Sequence, residues 1–266
     1  MDPSFWALLL AKMLLAAAIV VSASMIVERS GPFLGAMVAT LPISAGPAFA
    51  FLATEHSAEF ISESALAGLP VTAATVVYMV VYATVAQRRG VLASIGAGFA
   101  VWAAFVFLIL QGQWTLGGAL ALNGAVFAAA LVYARRLTGA DKPPRLQKRS
   151  WDVLFRASLV MVLVGGTVLA GRTLGPAIAA ATALAPVVLI SLALILQPRI
   201  GGIVTASVVA NGVPGMLGFV GALSVIHLGA VPMGAFPALL LALTLSLGWN
   251  ATLVALRSRR MNQIRT

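Results

Sequence analysis

Pro42, Pro186, Gly68-Leu69-Pro70 and Gly212-Val213-Pro214 all fall near the middle of long apolar runs. Proline offers no backbone N–H, and its ring opposes the carbonyl one turn earlier, so each position is a candidate interruption of a helix. A carbonyl freed in this way can coordinate a cation or a polar solute, and an exposed half-helix N-terminus can attract an anion. Gly46-Pro47 adds a further candidate break. Small polar residues gather around these positions: Thr40, Ser44 and Thr72 in one half, Thr205, Ser207 and Asn211 in the other. Asn211 is the preferred binding residue, because an amide in hydrocarbon needs a partner and this one directly precedes Gly212-Val213-Pro214. Asn123 and Asn250 are weaker candidates. The structural alternatives are ordinary proline kinks satisfied by neighbouring Ser or Thr, and asparagines that only join helices.

Lys12 and Arg156 lie inside apolar runs one to two turns from the ends at which those runs begin. A cation at that depth is costly, which suggests attraction of an anion or pairing with a carboxylate; snorkelling to the interface is the competing explanation. Glu63 and Glu28 are the expected partners or proton carriers. Other chemistries lack their residues. The chain contains no cysteine, no Walker sequence, no nucleophile elbow and no paired metal-ligand histidines. No catalytic residue, metal site or cofactor is therefore expected.

These residues must be held by membrane helices. Of the 266 residues, 61% are hydrophobic and 9% charged, and the mean hydropathy is +1.03. No water-soluble core requires that much apolar side chain. Apolar runs near 5–27, 33–53, 60–86, 91–110, 115–134, 153–171, 176–197, 201–228 and 235–256 match the length needed to cross a bilayer. Each must be helical, since an extended segment in lipid would leave backbone groups unpaired. The expected fold is all-α, a polytopic membrane protein of about nine transmembrane helices. The first run lacks a basic leader before it and reads as a retained helix.

The net charge of +10 is explained by topology, with no nucleic-acid partner expected. Apart from Lys12 and Arg156, every Lys and Arg but Arg172 falls in gaps on a single face of the nine-helix arrangement. The positive-inside rule makes that face cytoplasmic, with the N-terminus outside and the C-terminus inside, as in a bacterial inner-membrane protein. Glu55, His56 and Glu59 then lie outside. The expected organisation is a first four-helix unit over 1–112, a connecting helix over 113–134, a basic linker over 135–152, a second four-helix unit over 153–256 and a basic tail over 257–266. The linker's cations fix orientation and could also attract anionic lipid.

An internal repeat supports this division. Gly31-Pro32 matches Gly175-Pro176, Pro42 matches Pro186, and Gly68-x-Pro70 matches Gly212-x-Pro214, all 144 residues apart. Lys12 falls opposite Arg156 at the same offset. Five spans separate equivalent elements, so the second copy enters from the opposite side. Inverted four-helix repeats joined by one helix are a transporter architecture. The stretch Glu28–Ser57, with Arg29, Gly35, Pro42 and the apolar run after it, resembles small four-helix bacterial inner-membrane proteins of the GlpM type. The resemblance implies two such copies fused through helix five, and it carries no site residue over.

The expected function is a secondary, non-ATP permease for a small polar or anionic solute. It would work by alternating access, with its site between helices two, three, seven and eight. The rivals are a lipid-handling protein or flippase, in which Lys12 and Arg156 meet phosphates, and a noncatalytic membrane scaffold. The expected partners are the lipid bilayer and a small solute, with homo-oligomerisation left open.

Overall fold

A computed structural model describes residues 3–28, 45–137 and 150–263, all helical apart from short connections. The elements are α1 (Pro3–Glu28), α2 (Ala45–Glu55), α3 (Ala58–Ala86), α4 (Val91–Leu110), α5 (Leu116–Ala134), α6 (Ser150–Thr173), α7 (Pro176–Ala183), α8 (Val187–Ile200), α9 (Gly202–Met233) and α10 (Ala235–Gln263). Thr40, Pro42, Ser44, Gly31-Pro32, Arg29 and most of the basic linker lie outside the described residues.

Local chemistry sets several of the boundaries. The Ser57 hydroxyl accepts from Phe60 N–H to cap α3, and Thr115 does the same for α5 through Gly118 N–H. Gly175 and Gly201 start α7 and α9 at φ 86° and 80°, conformations open to glycine and strained for other residues. Pro176 follows Gly175 at the first helical position, where its missing N–H costs nothing. Pro47 sits in the first turn of α2, again among donors that have no intrahelical acceptor.

Among the described residues, eight segments are long and apolar enough to cross a membrane, with α7 and α8 together forming one of them. α2 adds the described part of the run expected at 33–53. The outward surface fits the same environment. Leu8, Leu14, Leu92, Phe107, Leu108, Val162, Leu240 and Leu241 all stand exposed, a pattern that water would not tolerate over a whole bundle. The chain is an all-α, polytopic membrane protein by this architecture.

α3 is the centre of the bundle, the most buried of the spanning helices. It packs against α9 along much of its length and also meets α4, α5 and α7; α9 in turn carries α10, and α1 pairs with α6. Tyr78, Tyr82, Leu69 and Met79 of α3, Leu223 of α9 and Phe49 and Leu52 of α2 are the large, fully enclosed side chains of this core.

Two expected interruptions are not there. α3 runs unbroken through Gly68 and Pro70, and α9 through Gly212 and Pro214. A single proline removes one ladder bond, and here dense packing on both sides preserves the remaining turns. A Cβ on Gly68 would come within 2.9 Å of Leu184 Cδ1 and 3.4 Å of Leu223 Cδ1, so the glycine allows close approach and does not open the backbone.

Candidate functional site

Helix seven, by contrast, is interrupted. α7 ends at Ala183, α8 begins at Val187, and Leu184, Ala185 and Pro186 lie between them. Pro186 has no N–H to give to Thr182. Ala185 N–H turns to Thr182 O at 3.2 Å, and Val187 N–H closes a tight turn onto Ala185 O at 2.7 Å. The carbonyls of Ala181 and Ala183 thereby lose their usual donors four residues on. The ladder resumes with Ile190 N–H donating to Pro186 O at 2.8 Å.

The break is faced by α3. Thr75 is buried, and its hydroxyl lies 3.1 Å from Val71 O and 3.5 Å from Leu184 O, the carbonyl at the break. Trp102 of α4 donates its indole N–H to the same Thr75 oxygen at 3.2 Å. One turn further along α3, the hydroxyl of fully buried Tyr78 has no hydrogen-bond partner. An indole, two hydroxyls and a displaced carbonyl therefore meet or approach the middle of the bundle, where hydrocarbon supplies nothing polar in exchange.

The other predicted polar side chains donate to backbone carbonyls, while Asn123 Oδ1 and Asn250 Oδ1, like the Tyr78 hydroxyl, are buried without a partner among the described residues. Asn211 donates to Ser207 O at 2.7 Å, four residues back inside continuous α9, and does not stand beside an opening in the backbone. Asn123 donates to Leu69 O at 2.8 Å and to Ala119 O at 2.9 Å, joining α5 to α3 directly before Pro70. Asn250 donates to Ser246 O at 2.9 Å. Thr72 donates to Gly68 O and Thr205 to Gly201 O. Thr75 and Trp102 were missed in the sequence. Both are single residues in apolar runs, and only the fold brings them to Leu184.

Charged residues tie the two ends of the bundle. At one end, Lys12 of α1 donates to Glu55 Oε1 at 2.5 Å and to Thr54 Oγ1 at 3.1 Å, at the C-terminus of α2. The second carboxylate oxygen, Glu55 Oε2, takes Arg172 Nε of α6 at 2.9 Å. Among the described residues the partner of Lys12 is thus Glu55 and not Glu63, a candidate from the sequence; the Glu28 side chain lies outside those described. The Arg172 guanidinium also lies over the Phe5 ring at 4.3 Å. At the other end, Arg199 of α8 grips Asp152 of α6 through both terminal nitrogens, at 2.8 and 2.6 Å. Arg156, on α6 one turn from Asp152, is half-buried.

At the Glu55 end, burial pushes the Glu55 carboxyl up, but Lys12 and Arg172 outweigh it and hold the group below its ordinary value. His56, stacked on Phe60 at 4.0 Å, is held below its ordinary value by burial, helped by Arg172 and Lys12 against Glu55. Nearby, Ser62 of α3 donates to His227 O of α9 at 2.7 Å, and His227 Nδ1 lies 3.1 Å from Ser62 O. At the Arg199 end, Tyr82 donates to Gln197 Oε1 at 2.8 Å, and Gln197 donates to Arg89 O at 2.9 Å. Among the described residues, no group of three His, Asp or Glu side chains could hold a metal ion.

Comparison with protein-family models, with curated proteins and with solved structures gives no match for this chain.

Proposed function

We propose that the protein is a secondary membrane permease for a small polar or anionic solute, working by alternating access around the break at Leu184–Pro186. The observation that carries this reading is the interruption of a buried spanning helix beside the Thr75 hydroxyl and Trp102 indole. Backbone polar groups are tolerated at such a depth where they are buried in protein or line a cavity. The N-terminus of α8 adds a positive dipole end there for an anionic group.

The ion pairs support the inverted arrangement of two four-helix repeats that such a cycle requires. Glu55 and Arg199 are 144 residues apart, the offset of the Gly/Pro matches, and each ends its helix tied to α1 or to α6. α3 packs on α9 and α1 on α6, the contacts expected when equivalent helices meet at a two-fold axis. On this reading the orientation has the Arg199 end cytoplasmic, by the positive-inside rule. Each ion-pair cluster closes one end, and opening alternates between them. Lys12 serves the closure, since its charge is already met by Glu55.

The test is uptake into vesicles reconstituted with purified protein. Labelled small organic anions and neutral polar solutes are offered with and without an ion gradient. Saturable flux of one class, lost when Thr75→Val removes the hydroxyl facing Leu184, is the expected result. No flux of any class by correctly folded protein would overturn the reading.

A further inference from the structure

At the Arg199 end, Val80, Val81, Thr84 and Val85 of α3 and Tyr133 of α5 line an open groove of about 300 Å³. Its walls are almost entirely apolar. Thr84 gives its hydroxyl hydrogen to Val80 O at 2.7 Å, with Tyr133 OH a further 3.5 Å away, so little is left to hold a polar solute. The groove also defines a place relative to charge. Arg88 and Arg89 follow α3, Arg135 and Arg136 follow α5, and all four are exposed. The helical turn continues at both ends, through Arg88 N–H to Val85 O and Arg136 N–H to Tyr133 O. Arg88 therefore stands four residues beyond Thr84, and Arg136 three beyond Tyr133, each over the face of a lining residue. Asp152, a carboxylate at this end, is held by Arg199.

We propose that this groove binds an anionic phospholipid, one acyl chain lying against Val81 and Val85 and the phosphate held by Arg88, Arg89 and Arg136. In a bundle that spans the bilayer, an apolar groove open to the side meets lipid tails, and arginines just past its end meet the headgroup layer. Guanidinium groups bind phosphate oxygens in a paired fork geometry. A free anion in water would leave the apolar wall unused, and a neutral lipid would leave the arginines unused. The match of both parts selects the occupant.

The experiment measures lipid retention by the full chain. Detergent-purified protein is incubated with equal phosphatidylglycerol and phosphatidylcholine, and bound lipid is counted by native mass spectrometry. Preferential retention of phosphatidylglycerol is expected, undiminished by excess inorganic phosphate. Arg88→Gln with Arg136→Gln should lower it about thirtyfold, from roughly fivefold for each basic residue at the headgroup layer. Val81→Trp, which narrows the groove where the acyl chain would lie and keeps the arginines intact, should lower it as well. Removing a cation at the opposite end of the bundle instead, by Arg172→Gln, should leave retention within about twofold. Equal retention of the two lipids by the unmodified protein would overturn the proposal, as would displacement by inorganic phosphate. So would an equal loss in folded Arg172→Gln, or full retention in folded Val81→Trp.

Discussion

Lys12 Nζ meets Glu55 Oε1 at 2.5 Å across the interface of α1 and α2, and the same carboxylate reaches Arg172 on α6 with its other oxygen. One acid thus neutralises two bases on two helices. Lys12 is largely buried, while Arg172 is exposed enough to be hydrated. Removing the acid is therefore worse than removing the lysine. Glu55→Gln strands a buried ammonium and is expected to cost about 3 kcal/mol. Lys12→Met leaves Glu55 with Arg172 and should cost less, and the double variant should recover much of the loss. Denaturant or thermal unfolding of the three purified variants measures this; additive losses would show that the pair is not coupled.

The same cluster gives stability a defined pH dependence. Glu55 sits below its ordinary 4.5, so its contribution is complete above that value and is lost as pH falls through the lower folded value. His56 sits below its ordinary 6.5, so the unfolded chain binds its proton first and stability declines as pH falls below 6.5. The melting temperature should be level above pH 7, decline below 6.5 and decline again below 4.5. His56→Gln should remove the upper decline and Glu55→Gln the lower one, both read from melting curves across pH.

The two ends of the bundle can be locked separately, because the chain has no cysteine to interfere. A reducible bifunctional thiol reagent about as long as a salt bridge can join Glu55→Cys to Arg172→Cys at one cluster, and Asp152→Cys to Arg199→Cys at the other. Under the alternating cycle, cross-linking either pair should abolish net flux, and cleaving the reagent should return it to the level of the untreated variant. Water-soluble thiol labelling of a single cysteine at position 75 should then report access only from the unlocked end. Flux that survives both cross-links would separate transport from these closures.

The spanning runs were legible in the sequence because hydrocarbon thickness dictates their length. α4 covers the whole of 91–110 as expected, and α5 starts one residue later than expected. Pro186 was legible as a break. That the helices run on through Pro70 and Pro214 was not legible, since whether a helix survives the loss of one bond depends on its neighbours, and α3 and α9 support each other. The choice of Glu55 over Glu63 joins residues 43 apart and has no local signal. Two hints existed: counting loop charges by gap sets Arg172 apart from the other loop cations, on the side of the acidic gap, and Glu55 lies one repeat offset from Arg199.

Close helix approach at the Arg199 end should be the most sensitive steric point of the fold. A Cβ at Gly202 would fall 1.8 Å from Ala86 O, a backbone atom that cannot swing aside, whereas Gly124 of α5 has nothing within 4 Å. Gly202→Ala must therefore separate α9 from α3, with an expected cost of about 3 kcal/mol. Gly124→Ala should be neutral or stabilising by up to about 1 kcal/mol. Unfolding of the two variants side by side checks the contrast.

Pro186→Ala addresses the break itself. Alanine restores an N–H that can donate to Thr182 O, and alanine is the residue most at ease in a helix. The expected result is a more continuous α7–α8, with slower amide exchange through 185–189 and unchanged or raised stability. A straightened helix withdraws Leu184 O from Thr75 and returns the carbonyls of Ala181 and Ala183 to the ladder, so flux should fall at least tenfold while the protein folds well. Stability and flux would then move in opposite directions, which a proline serving only as a packing kink would not produce. Equal flux in a variant whose exchange shows the helix healed would sever the break from transport.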